Sequence, residues 1–134
     1  MDDCLFCKIA KGEIPSYKIY EDDEFLAFLD IFPETEGYTV LIPKTHYRWV
    51  WDVENIGGLF ESAQKIAKHF QKVTEQDAIY VSIMGEEVPH AHVRIYRGDD
   101  MKFNEMTHEV SKATRPPAPM PDDHLKRIRE KYKL

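Results

Sequence analysis

His90-Ala91-His92-Val93-Arg94-Ile95-Tyr96-Arg97 alternates between two kinds of side chain along its whole length. Successive residues of a strand point to opposite faces, so His90, His92, Arg94 and Tyr96 share one face and Ala91, Val93 and Ile95 the other. Just upstream, Ala78–Met84 (AIYVSIM) is a second β-rich run, ended by Gly85. The link from Glu86 to Pro89 has hairpin length, which predicts an antiparallel pair. The apolar face of that pair needs a cover. From Glu54 to Glu75, the residues Ile56, Leu59, Phe60, Ala63, Ile66, Ala67, Phe70 and Val73 recur at steps of three and four. That spacing lines one side of an amphipathic helix, with Gln64, Lys65, Lys68 and Lys72 on the wet side. Further upstream, Tyr38-Thr39-Val40-Leu41-Ile42 before Pro43 predicts a well-buried strand. Tyr17–Asp30 predicts two short strands around an Asp22-Asp23 turn.

The rest of the chain narrows the classes available. At 134 residues it is long enough for one domain and short for two. A net charge of −6 argues against a coat for duplex DNA or RNA, which needs a basic face. A small anionic ligand stays open, because a local cluster of donors holds phosphate whatever the global charge. No apolar run approaches the ~20 residues of a membrane span, and the acidic start MDDCLFCKIAKGE is unlike a secretory signal. Two cysteines imply no disulfide scaffold, so the expected compartment is the cytoplasm. After Asp99 the pattern weakens. Ser111–Asp123 is proline-rich and reads as an extended surface segment. Asp122 or Asp123 would then cap a last, basic helix striped by Leu125, Ile128 and Tyr132.

Two groups of residues can carry chemistry. Cys4-Leu5-Phe6-Cys7 admits a thiol redox pair, half of a zinc site, or two merely buried thiols. A zinc site would need two further ligands, normally histidines, to close a tetrahedron. Of the six histidines, His46, His90 and His92 sit at predicted strand ends, where side chains can converge. The second group is the polar face of His90, His92 and Arg94. Two imidazoles and a guanidinium on one surface suit an anion such as phosphate. One imidazole can attack phosphorus as a neutral nucleophile, and a guanidinium can hold two non-bridging oxygens at once.

The CxxC, the block Ala27–His46 (AFLDIFPETEGYTVLIPKTH), the amphipathic helix and Val88–Ile95 (VPHAHVRI) together resemble the histidine triad (HIT) superfamily of nucleotide-binding hydrolases and transferases, over roughly the first hundred residues. The resemblance implies an α+β fold: a five-stranded antiparallel meander with one long helix, preceded by a short segment bearing the CxxC. Residues 1–100 would form that domain and 101–134 a divergent extension. It implies that His92 attacks the α-phosphate of a purine nucleotide or nucleoside-phosphate conjugate, giving a nucleotidyl-histidine. It implies that Asp30 holds the ribose hydroxyls, and that Phe28 and Ile31 sandwich the base. Members bearing the CxxC imply zinc on Cys4, Cys7, His46 and His90, and two subunits joined as a homodimer.

The departures lie at the phosphate end. The third histidine of the family pattern is Arg94 here, and the loop before the motif is shortened to Ser82-Ile83-Met84-Gly85. Glu86 and Glu87 stand where glutamine and a small hydroxyl residue are usual. An arginine stays protonated and cannot act as general acid or base, but it can clamp phosphate oxygens. It also disfavours a second positive charge on His92, which suits leaving groups that depart as stable anions. The rival expectation is a nucleotide-binding module without turnover, its Arg94 bridged to Glu86 or Glu87 over a closed site. A redox protein using Cys4 and Cys7 ranks third.

Overall fold

The computed structural model describes residues 3–98 and 101–134, the latter by backbone alone at 101–104 and 106. The chain divides into two compact units, Met1–Asn104 and Glu105–Leu134. The first carries α1 (Leu5–Ala10), β1 (Lys18–Glu21), β2 (Phe25–Leu29), β3 (Thr39–Pro43), a single 3-10 turn at Val50–Asp52, α2 (Ile56–Thr74), β4 (Ile79–Ser82) and β5 (Val93–Arg97). The strands form one antiparallel sheet in the order β1-β2-β3-β5-β4. It is the α+β, five-stranded antiparallel architecture expected. After β3 the chain crosses through α2, and β5 returns between β3 and β4.

Both faces of the sheet are covered, which explains why β2 and β3 read as continuous apolar runs. Phe25, Ala27, Leu41, Val93 and Ile95 face α2, where Leu59, Ala63, Ile66 and Phe70 complete the core. The intervening residues Leu26, Phe28, Val40 and Ile42 face the other way and pack with Phe6, Cys4, Cys7 and Ile9 of the N-terminal segment. Phe60 and Val73, expected on the apolar side of the helix, are exposed instead. They lie on the margins of the stripe, where 3.6 residues per turn carry a side chain out of the core. The turn between β1 and β2 forms where Asp22 closes it. Its Oδ1 accepts from the backbone N–H of Glu24 and Phe25, and Tyr20 donates its hydroxyl to the other oxygen.

The strand expected to begin at His90 begins at Val93. Pro89 has no N–H to give a ladder. The Ala91 N–H goes to the Tyr47 carbonyl and the His90 N–H to that of Val88, so neither joins the sheet. The ladder closes at Ser82 opposite Arg94, and the connection from Ile83 to His92 is longer than a tight hairpin.

The second unit holds most of α3 (Met101–Thr114) and all of α4 (Asp122–Tyr132). The extended segment predicted over Ser111–Asp123 is confined to residues 115–121, because Ser111–Thr114 complete α3. Residues before proline avoid the helical region, so Pro116 and Pro117 end that helix just after Thr114. Pro121, with no side-chain hydrogen bond, stands at the α4 N-cap, and Asp122 and Asp123 fall in its first turn rather than at the cap. Leu125, Ile128 and Tyr132 are exposed. Among the described residues no helix is long and apolar enough to cross a membrane.

Candidate active site and metal centre

The N-terminal segment folds back on the sheet through its two cysteines. Cys4 is the N-cap of α1, its sulfur accepting from the Cys7 N–H, and both thiols are buried. His46 follows β3, and His90 sits in the bend before β5. The four side chains converge, with all four potential ligand atoms within 4.8 Å of one another. His90 Nδ1 lies 3.3 Å from Cys4 Sγ and 3.4 Å from Cys7 Sγ; His46 Nδ1 lies 3.2 Å from Cys7 Sγ.

The chemistry of this donor set fits a thiophilic dication. Bond lengths of ~2.0–2.3 Å to a tetrahedral zinc place its S and N ligands roughly 3.5 Å apart, near the separations found. His90 Nε2 lies 2.8 Å from the Pro43 carbonyl, which can only accept, so Nε2 carries the proton and Nδ1 presents its lone pair to the sulfurs. A metal-bound imidazole is commonly oriented in this way by a main-chain carbonyl. Burial lowers the His90 pKa and keeps the ring neutral, the form that ligates. Cys7 has its pKa pushed up to about 11, chiefly by burial and then by its hydrogen bond to and the charge of Cys4. Two thiolates side by side need a cation between them, and a bound metal reverses that logic.

His92 lies two residues on and is 3% exposed. Its Nδ1 is 2.7 Å from the His90 carbonyl, so Nδ1 carries the proton and Nε2 keeps the lone pair. Burial is the main force lowering its pKa; the Arg94 and Arg48 charges act in the same direction, against the His90 carbonyl and Glu87. Phe6, in α1 between the cysteines, meets the edges of both rings, with centroids 5.9 Å from His90 and 5.2 Å from His92. Nothing in the sequence beyond its place inside the CxxC announces that contact.

Arg94 takes a partner that the sequence does not suggest. Its Nη1 donates to Asp30 Oδ2 at 2.7 Å, and the guanidinium lies 5.5 Å from the centre of the Tyr38 ring. The bridge expected from Arg94 to Glu86 or Glu87 is therefore replaced by one to Asp30. Strand order is the reason: Leu29 faces Thr39 and Thr39 faces Ile95, so the end of β2 and the middle of β5 are separated by one strand only. Asp30 also accepts the Phe32 N–H through Oδ1. Phe28 is buried and meets Phe6 edge-on at 5.6 Å, whereas Ile31 is 69% exposed in the following loop. Arg48, singled out by no motif, donates from Nη1 to the Gly85 carbonyl at 2.7 Å.

Fold and site define a small α+β domain that brings a Cys2His2 cluster and a neutral histidine together beside an arginine–aspartate pair. The HIT domain matches residues 11–101, and the chain belongs to the HIT family. It is 36% identical over 129 residues to an uncharacterized HIT-like protein of Borreliella burgdorferi, covering 84% of this chain and 91% of that one. It is 38% identical over 104 residues to the adenosine 5′-monophosphoramidase HNT1 of Saccharomyces cerevisiae, covering 74% of this chain and 65% of that one. Among solved structures it resembles a HIT-like protein from Bartonella henselae described as involved in cell-cycle regulation, with a TM-score of 0.68 and 32% identity, covering 84% of this chain and 94% of that one.

Proposed function

We propose that this protein is a nucleotide phosphohydrolase or nucleotidyltransferase that acts at an α-phosphate through His92. The observation that carries this reading is the fixed tautomer of His92: the His90 carbonyl holds Nδ1–H and leaves the Nε2 lone pair as nucleophile. In the first step Nε2 bonds to the α-phosphorus as the bond to the leaving group breaks, and the leaving group takes the electron pair. The imidazole then carries a positive charge, which the His90 carbonyl stabilises through Nδ1–H. In the second step the oxygen of water or of an acceptor hydroxyl bonds to the phosphorus as the P–Nε2 bond breaks; the electron pair returns to Nε2, leaving His92 neutral, and the proton of the attacking oxygen passes to solvent.

The partner is a purine nucleotide or nucleoside-phosphate conjugate. Asp30 would meet the ribose hydroxyls with Arg94 beside it, the guanidinium keeping four N–H donors for phosphate oxygens. Ile31 and Phe28 would border the base, Phe28 from beneath as a packed floor. Cys4, Cys7, His46 and His90 would hold a zinc, which would supply a structural cross-link between α1 and the loops after β3 and before β5. The relative that acts on adenosine 5′-monophosphoramidate supports nucleotide chemistry. The free thiols suit the cytoplasm, and edge strand β4, with Tyr80 and Val81 exposed, supports a homodimer.

Incubation with an α-³²P-labelled nucleotide, quenched in alkali where a nucleotidyl-histidine survives, tests the step. Label that remains on the wild type and is lost in His92→Ala is expected. A protein that binds nucleotide but never labels or turns over is instead a binding module. The occupation of Asp30 by Arg94 is the observation that favours this second reading.

A further inference from the structure

Arg94, beside this site, is already neutralised by Asp30 at 2.7 Å. Arg48 has no carboxylate within ion-pair distance among the described residues. Its surroundings nonetheless hold it in place. The guanidinium carbon lies 3.7 Å from the centre of the Trp49 ring, and Nη1 donates to the Gly85 carbonyl. Gly85 is buried with φ +97°, and a Cβ there would come 3.4 Å from the Trp49 ring and 3.9 Å from Arg48 Nη1. Arg48, Trp49 and Gly85 thus pack as one unit, built from the loop after His46 and the connection that leads into His90 and His92.

A guanidinium stacked on an indole keeps its planar fork oriented, and only one of its five N–H groups is used. It is half-buried, so its charge is less screened than that of a surface lysine. Arg48 stands two residues after His46, and the Gly85 carbonyl it donates to opens the connection that leads to His90 and His92, on which Glu87 is exposed. An unneutralised cation held on these two loops can receive an anion.

We propose that Arg48 binds the phosphate groups beyond the α-phosphate, and so selects nucleotides whose leaving group is itself an anionic phosphate. This rests on the nucleotide reading above and moves the expected preference for anionic leaving groups from Arg94 to a residue outside the family motif. The leaving phosphate would depart with the electron pair already neutralised in part by Arg48, and needs no proton from the protein.

The test compares AMP, ADP and inorganic pyrophosphate on the full chain, with Arg48→Gln and Arg48→Lys, by calorimetry. Fluorescence of Trp49 in a Trp51→Phe background gives a second readout at the stacked ring itself. The wild type should bind ADP about tenfold more tightly than AMP, the gain of one buried charge-assisted contact. Arg48→Gln should abolish that ratio and the pyrophosphate response, while Arg48→Lys keeps part of both. Equal weakening of AMP and ADP in Arg48→Gln, or no change in either, overturns the assignment while leaving nucleotide binding intact. Pyrophosphate binding that depends on Arg48 in a protein that takes no nucleotide would uphold the anion site and sink the nucleotide reading. A wild type that binds none of the three overturns both.

Discussion

Separating Arg94 from Asp30 gives a direct measure of how firmly β5 is tied to the end of β2 across β3. The pair is at 2.7 Å with side chains 19% and 20% exposed, between a surface contact and a buried one. At an effective permittivity near 20 the bare attraction at contact is about 4 kcal/mol, and desolvation of both groups cancels most of it. Exposed pairs keep about 0–1 kcal/mol, whereas removing one partner of a buried pair costs about 3–5 kcal/mol. Asp30→Asn or Arg94→Gln alone should therefore cost about 2–3 kcal/mol, and the double variant less than their sum by a coupling of about 1–2 kcal/mol. Urea unfolding of the wild type, both singles and the double gives the cycle, repeated at high salt. Because four-fifths of each side chain is covered, the coupling should survive most of the added salt. A coupling under about 0.3 kcal/mol would show that the two residues meet without mutual stabilisation, and the placement of Arg94 would then need another cause.

Three further outcomes follow from the geometry. Purified protein should carry one zinc per chain by elemental analysis, and a strong chelator should lower Tm by more than about 10 °C, since a closed site contributes directly to folding; Cys7→Ser should lack the metal and be unmoved by chelator. Gly85→Ala should cost roughly 1–2 kcal/mol by chemical denaturation, because φ +97° is strained for any L side chain, although the new Cβ would meet Trp49 only at ordinary contact distance. Asp22 has its pKa lowered, the Tyr20 hydroxyl and the Phe25 and Glu24 N–H groups outweighing burial, which acts the other way. A carboxylate depressed in the folded state adds stability above its unfolded pKa that is lost as pH falls through the folded value. The acid limb of a stability–pH curve should therefore be shallower in Asp22→Asn than in the wild type.

Much of the fold is written locally. The alternation Phe25-Leu26-Ala27-Phe28 delivers side chains in turn to the two cores, and the steps of three and four between Leu59 and Phe70 state which side of α2 is buried. What escapes a linear reading is set by partners distant in the chain. His90-Ala91-His92 alternates as a strand does, yet the Ala91 N–H is taken by Tyr47 and the His90 ring by Pro43. No pattern inside the segment announces either acceptor. The same holds for Arg94, whose carboxylate lies 64 residues away. After Asp99 no clear periodicity announces α3, and the proline-rich composition of Ser111–Asp123 hides that its first four residues finish that helix, whose stop is local, at Pro116. The Cys/His cluster is a different case: the residues alone leave a redox pair, half of a zinc site and buried thiols open, and it is the resemblance to the HIT pattern that singles out Cys4, Cys7, His46 and His90, which the fold brings together.

His90 joins the two halves of the site, and it does so with three separate atoms. Its Nδ1 points to the sulfurs, its Nε2–H is held by Pro43, and its main-chain carbonyl fixes Nδ1–H of His92. Phe6, carried on the helix that bears both cysteines, touches both rings. A change at the cluster would therefore reach His92 through one residue's backbone and one neighbour's ring. Loss of the cluster would release the peptide that sets the His92 tautomer, and the Nε2 lone pair would no longer be fixed in one direction. On the proposed reading, a zinc held by these four side chains would therefore matter to chemistry at His92 without taking part in it, and the CxxC lies on a short segment that also covers this face of the sheet.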